Sequence, residues 1–241
     1  MTIIKICGLT NYEDARFALQ AGADMLGFIF YEPSPRYVSP ERVREIVSML
    51  RTMEIRVQNS KFKIQNLKPE TRNQKLETLF VGVFVNHSPK VVQQTLDFCG
   101  LDLAQLHGDE SPLFLEELNG RAYKAINPRS FERAEAIIQS FAVHRSPFTI
   151  HHLPFILLDA FHPILRGGTG RVADWSMAAE IACQHNVLLA GGLSPENVAS
   201  AIRQVKPWGV DVSSGVEAKK GKKDPAKVKA FIKAAKAESG E

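Results

Sequence analysis

The sequence predicts an α/β chain folded as a single (β/α)8 TIM barrel over residues 1–241. Three observations carry that prediction. Eight short runs are rich in Ile, Val, Leu and Phe, a helix-like segment follows each, and 241 residues suit one barrel. The runs are continuous rather than alternating, the pattern of parallel strands buried on both faces. An open doubly wound sheet is the competing architecture, and eight alternating units in a chain of this length favour closure.

Taken in order, the first strand is read at Ile3–Ile6, and Asn11 opens a helix that runs to Ala21 with Gly22 as its stop. The second strand is read at Met25–Phe30. Ser39-Pro40-Glu41 then sets Ser as N-cap and Pro in the first helical turn. Strands three to five fall at Phe80–Val85, Leu103–Leu106 and Tyr123–Ile126, with Ser88-Pro89 and Ser111-Pro112 repeating the same start signal. Strands six to eight fall at Phe155–Leu158, Val187–Leu189 and Val210–Val212, with Ser194-Pro195 and Asp224-Pro225 opening the last helices. Two segments are in excess: a polar, basic insertion at about 53–78 and a second at about 141–154. Both precede strands, at the barrel end opposite the catalytic loops, and both read as surface additions.

Composition excludes several classes. The chain is 44% hydrophobic and 23% charged, with a formal net charge of +4. Much of that excess lies in the Lys-rich stretch Lys219 to Lys236, read as the solvated face of the last helix. No base-reading or aromatic pattern accompanies it, so no nucleic-acid partner is expected. The three cysteines, Cys7, Cys99 and Cys183, are widely spaced, which fits a reducing compartment and neither a disulfide framework nor a zinc site. The first residues lack a signal peptide's basic start and long apolar core, and no run is long enough to span a membrane. A cytoplasmic protein with no membrane partner is therefore expected.

A barrel places its chemistry at the C-terminal ends of the strands. That rule selects Cys7; Arg36 in the loop after strand two; Gln105 and His107; Asp159; Gly168; Gly191 and Gly192; and Asp211, Ser213, Ser214 and Gly215. The glycine-containing loops after strands six, seven and eight suit a phosphate, because glycine lets backbone N–H groups approach an anion closely. Cys7 is either a packed small hydrophobe or a base. Lys5, two residues away and on the same face, would favour its thiolate. Asp159 either caps its loop or serves as a general acid. Asp211 either bonds loop amides or holds a substrate hydroxyl, and His107 is a ligand or a packed loop residue. Asp14, Asp24 and Asp97 read as caps or surface charges. No set of His, Cys and carboxylates has metal-ligand spacing, and no dinucleotide or Walker fingerprint appears, so neither metal nor cofactor is expected.

Together Lys5-Ile6-Cys7-Gly8-Leu9-Thr10, Ser34-Pro35-Arg36-Tyr37-Val38, Leu103 to Glu110, Leu157-Leu158-Asp159-Ala160, Gly167 to Gly170, Leu189 to Leu193 and Val210 to Glu217 resemble the motifs of the phosphoribosylanthranilate isomerase family. They run in order from strand one to strand eight. The resemblance implies an Amadori rearrangement in tryptophan biosynthesis, converting N-(5-phosphoribosyl)anthranilate to 1-(2-carboxyphenylamino)-1-deoxyribulose 5-phosphate. It implies Asp159 as general acid, Cys7 as general base and Arg36 on the anthranilate carboxylate. Gln105, His107 and Asp211 would contact substrate, and Gly168, Gly191, Gly192, Ser213, Ser214 and Gly215 would hold the phosphate. Monomer and homodimer are both compatible with it. Sibling barrels, such as indole-glycerol-phosphate synthase, would need a catalytic Lys or a second Asp where Cys7 stands. A non-catalytic phosphate-ligand sensor is the reading from a different class.

Overall fold

The computed structural model describes residues 2–64, 78–142, 156–159 and 175–238. Eight strands close into a parallel barrel in chain order. They are β1 (Ile3–Ile6), β2 (Met25–Ile29), β3 (Leu79–Phe84), β4 (Leu103–Leu106), β5 (Ala122–Ile126), β6 (Ile156–Asp159), β7 (Val187–Ala190) and β8 (Gly209–Val212). The predicted barrel is present, with strand ends within one residue of the sequence reading. Closure is made by β1 against β8, in the register Ile3↔Gly209, Ile4↔Val210, Lys5↔Asp211 and Ile6↔Val212.

Among the described residues eight α-helices follow the strands: α1 (Tyr12–Ala21), α2 (Pro40–Ile64), α3 (Pro89–Cys99), α4 (Phe114–Glu117), α5 (Phe131–Ala142), α6 (Ser176–Ala182), α7 (Val198–Val205) and α8 (Pro225–Ala237). Between β8 and α8 lie a single 3-10 turn, Ser214–Val216, and a short hairpin of β9 (Glu217–Lys219) and β10 (Lys222–Lys223). Several starts follow the capping chemistry read from the sequence. Asn11 accepts from the Asp14 N–H, Ser88 from that of Val91, and Asp224 from those of Ala226 and Lys227. Gly22 and Gly100 end α1 and α3 in the left-handed region, at φ +98° and +70°.

Other starts depart from it. Ser111-Pro112 leads into turns, and the short α4 begins only at Phe114. Ser194-Pro195 likewise opens a turn, pinned by Ser194 N–H donating to Asn197 Oδ1 at 2.8 Å, and α7 begins at Val198. A Ser-Pro pair fixes the direction of the backbone without committing it to a helix. The insertion read from Met53 begins inside α2, which continues to Ile64; Gln, Lys and Arg are good helix formers even without an apolar stripe. Residues 65–77 and 143–155, the rest of both insertions, lie outside the described residues.

Two apolar layers flank the strands. Met25, Val81, Leu103, Tyr123, Ala125, Leu157, Leu188 and Ala190 fill the barrel interior, while the larger cluster, including Ile4, Phe28, Phe80, Leu106 and Val210, seats the helices. Alternate residues along each strand serve one layer or the other. The inward face of β1 carries Lys5 and then Cys7, which puts charge inside the barrel above its apolar layer.

Candidate active site

The site begins with Lys5. It is wholly buried (0% exposed), and its ammonium donates to Gln105 Oε1 at 2.8 Å and to Asp211 Oδ1 at 3.0 Å. Burial opposes its charge, but Asp211, with Cys7 and Tyr123, outweighs that cost and holds its pKa above the ordinary lysine value. Cys7 follows, also buried, its N–H donating to Val212 O at 2.9 Å across the β1–β8 seam. Burial pushes its thiol above the usual 9.0. Lys5 and Lys223 pull downward without overcoming burial and the negative field of Asp211. The expected help from Lys5 is present, and burial is the larger effect. Gly27 on β2 makes the room: a Cβ there would stand 2.8 Å from Cys7 Sγ and 3.1 Å from its Cα. The sequence reading did not single out Gly27, whose only signal is a glycine inside a strand.

From Lys5 a polar network crosses the barrel. Gln105 Oε1 also accepts from the Tyr123 hydroxyl at 3.1 Å, and Gln105 Nε2 lies 2.9 Å from His107 Nδ1. Gln105 and Asp211 are both buried, whereas His107 stands at the open mouth. His107 titrates below its ordinary 6.5, held down first by loss of solvent at the mouth and also by Lys5 and Lys124; Asp159 and Asp211 act in the opposite direction. The carboxylate of Asp159, at the C-terminal end of β6, is near enough for its charge to act on His107. Asp159 pairs in register with Ala190 of β7.

A second network lies on the β8 side. Arg36 forms a bidentate pair with Glu217, Nε to Oε1 at 2.7 Å and Nη2 to Oε2 at 2.8 Å. Lys223, buried on β10, donates to Glu217 Oε1 at 3.2 Å and to Ser213 O at 3.0 Å. Asp14 accepts from the Lys223 N–H at 2.8 Å and pairs with Lys222 at 2.9 Å. Asp14 is thus a buried anchor for the hairpin rather than a surface charge, and Asp24 Oδ2 accepts from the Ile4 N–H at 2.9 Å to brace β1. Within the Lys-rich stretch Lys223 is buried rather than solvated, while Lys222 and Lys227 stay exposed and reach inward with their ammonium groups, to Asp14 at 2.9 Å and to Glu217 O at 3.0 Å. The sequence reading missed Glu217 and Lys223 as organising residues, because their partners sit far away in the chain.

The glycine loops converge beside this network. Gly8, at φ +71°, brings Arg36 and the β8 loop together: a Cβ there would meet Arg36 Cδ at 2.6 Å and Ser213 Oγ at 2.8 Å. Gly191 and Gly192 have φ +95° and +67°. Gly215 lies so close to the β7 loop that a Cβ would stand 1.9 Å from Leu193 O. Ser213 Oγ is buried with no hydrogen-bond partner among the described residues, and Ser214 is exposed. After β8 the backbone makes only the 3-10 turn Ser214–Val216 before the hairpin, so a phosphate there would meet backbone N–H groups rather than the end of a long helix. Gly168 lies outside the described residues. The strand-end rule thus brings Cys7, Arg36, Gln105, His107, Asp159 and Asp211 to one mouth, with Gly191, Gly192, Ser213, Ser214 and Gly215 along its β7–β8 edge.

Comparison with known proteins gives one consistent result. The family model described as N-(5'phosphoribosyl)anthranilate (PRA) isomerase matches residues 47–234. An N-(5'-phosphoribosyl)anthranilate isomerase of Pelobacter propionicus is 43% identical over 236 residues, covering 98% of this chain and 96% of that one. The crystal structure of the phosphoribosyl anthranilate isomerase of Thermotoga maritima superposes with a TM-score of 0.75 at 37% identity, covering 98% of this chain and 100% of that one. A solved isomerase in complex with reduced 1-(o-carboxyphenylamino)-1-deoxyribulose 5-phosphate superposes with a TM-score of 0.73 at 35% identity, again covering 98% and 100%.

Proposed function

The chain belongs to the N-(5'-phosphoribosyl)anthranilate isomerase family, and on that premise we propose that Cys7 and Asp159 are the base and the acid of its reaction. It is an isomerase of tryptophan biosynthesis, turning N-(5-phosphoribosyl)anthranilate into 1-(2-carboxyphenylamino)-1-deoxyribulose 5-phosphate by an Amadori rearrangement. Asp159, as the carboxylic acid, gives its proton to the furanose ring oxygen. The C1–O bond breaks and a protonated Schiff base forms between C1 and the anthranilate nitrogen. Cys7, as the thiolate, takes the proton from C2, leaving an enolamine that tautomerises to the 2-ketone. The observation that carries this reading is the setting of Cys7, an inward thiol at the end of β1 with Lys5 and Lys223 both acting on its charge. Its raised pKa makes the thiol the resting form, and the cationic Schiff-base nitrogen lowers the cost of ionising it in mid-reaction.

The remaining roles follow from donor geometry. Glu217 occupies Arg36 Nε and one proton of Nη2, which leaves the end-on edge of the guanidinium, two parallel N–H bonds, for the anthranilate carboxylate. Asp211 and His107 face the ribulose hydroxyls. The Gly191–Gly192 and Ser213–Gly215 backbones hold the phosphate, with the Ser213 hydroxyl, which has no partner among the described residues, as an added donor. The substrate is accordingly a small phosphorylated molecule in a cytoplasmic enzyme. Among the described residues no helix is long and apolar enough to cross a membrane.

The test follows anthranilate fluorescence on mixing fresh phosphoribosylanthranilate with the protein. Cys7→Ala and Asp159→Asn are each expected to lower kcat by ~10²–10⁴ with circular dichroism unchanged. A folded Cys7→Ala protein with wild-type kcat overturns the base assignment. Tight binding of product without turnover by the wild type would point instead to a sensor.

A further inference from the structure

We propose that Lys5 and Gln105 fix the proton of His107 on Nε2, so that the imidazole meets substrate as a neutral hydrogen-bond donor and never as a base. The proposal deepens, and rests on, the reading of His107 as a substrate contact. The reasoning runs outward from β1. A lysine ammonium only donates. The carboxamide atom of Gln105 that faces Lys5 Nζ at 2.8 Å is therefore its oxygen. The Tyr123 hydroxyl donates to the same oxygen at 3.1 Å, so both of its lone pairs are used. The amide's other end, an NH2 group with no lone pair to offer, then faces His107 Nδ1 at 2.9 Å. Nδ1 has to accept, and a neutral imidazole with a bare Nδ1 carries its single proton on Nε2. Asp211 fixes the starting point, because it holds the Lys5 ammonium at 3.0 Å. The polarity of one buried ion pair is thus transmitted across the barrel to a ring at its mouth.

An imidazolium would set N–H against N–H at Gln105, so the geometry opposes charge on His107. The charged groups facing the ring are Asp159 on β6 and Asp211 on β8, which favour protonation, and Lys5 on β1 and Lys124 on β5, which oppose it. With Nδ1 committed inward, His107 offers substrate only Nε2–H. Its partner on the ligand must be an oxygen with a lone pair, such as a hydroxyl or the emerging C2 carbonyl. His107 also does not compete with Cys7 for the C2 proton.

The experiment is a two-bond proton–nitrogen correlation spectrum of the 15N-labelled free enzyme, which distinguishes a bare from a protonated ring nitrogen. The His107 signals are assigned by their loss in His107→Ala. The expected result near neutral pH is a bare Nδ1 and a protonated Nε2. In Gln105→Glu the carboxylate accepts from both Lys5 and the ring, so the proton moves to Nδ1 and the His107 titration shifts upward. A wild-type ring protonated on Nδ1, an even mixture of tautomers, or an unchanged tautomer in folded Gln105→Glu overturns the proposal. If that variant does not fold, the wild-type spectrum decides alone. A separate readout tests the contact with substrate: His107→Ala is expected to raise KM about tenfold, the worth of one hydrogen bond. An unchanged KM alongside a wild-type Nε2 proton overturns the contact and leaves the tautomer standing.

Discussion

At the scale of single residues, the site turns on how one thiol is kept and released. The fold disfavours the Cys7 thiolate, so its folded pKa lies above the ordinary 9.0. Two consequences of opposite sign follow. The stability that comes from keeping Cys7 neutral is complete below that value and is lost as pH rises through the folded pKa. In the proposed mechanism the base is the thiolate, so kcat/KM is expected to climb with pH by up to about tenfold per unit, as one deprotonation allows. Initial rates between neutral and alkaline pH check this, and a flat profile would remove Cys7 as the base. Gly27 supplies the second test. A methyl group there would press on Cys7 Sγ at 2.8 Å. Gly27→Ala is expected to cost about 1–3 kcal/mol from overpacking and about 10²-fold in kcat from a displaced base, read by urea unfolding and by the fluorescence assay. Much of this was legible in the sequence: the strand-end rule finds Cys7, Asp159 and Asp211, and period two puts Lys5 beside Cys7. What no pattern reveals is the balance of burial against Lys5, or that the absence of a side chain at position 27 is what admits the thiol.

At the scale of elements, buried pairs pin loops whose direction the local sequence leaves open. Lys124, on the helix side of β5, donates to Glu110 Oε2 at 2.8 Å, to Gly108 O, and to Leu106 O at 3.4 Å. Glu110 in turn accepts from the N–H groups of Asn86 at 2.8 Å and Gly108 at 2.9 Å. One ion pair therefore ties the loops after β3 and β4, and the second of these begins at His107. Lys124→Met is expected to cost about 3–5 kcal/mol, because it leaves a buried carboxylate without its partner. Urea denaturation measures this, and a loss under about 1 kcal/mol would mean that the backbone donors suffice for Glu110. The sequence reading stopped at Asp109-Glu110 as part of a motif and passed over Lys124, since a lysine inside an apolar strand looks like a fault until its partners are known. The same limit explains α4 and α7. The Ser-Pro signals at 111 and 194 were real turns, yet the hydrogen bonds that decide where each helix begins are made later, at Leu113 and Asn197. Asn11, Ser88 and Asp224 were legible because each cap is satisfied within three residues.

At the scale of the whole molecule, the site belongs to no single unit of the barrel. Its central network draws Lys5 from β1, Gln105 from β4, Tyr123 from β5 and Asp211 from β8. Activity and secondary structure are therefore expected to vanish together in urea, with coincident midpoints by turnover and far-UV circular dichroism. Activity lost well before the secondary structure would mean that the seam opens on its own. Eight-fold alternation made the closed barrel readable, because closure follows from counting strands. The pairs that closure creates were not readable, since Arg36 and Glu217 meet across 181 positions of chain. The seam also has a consequence in time. A ribosome delivers β1, and with it Lys5 and Cys7, well before β8, since Asp211 is 206 positions further on than Lys5. Until β8 emerges, the first strand waits as an open edge with its lysine uncompensated. The closed site is thus withheld from any chain that still lacks β8.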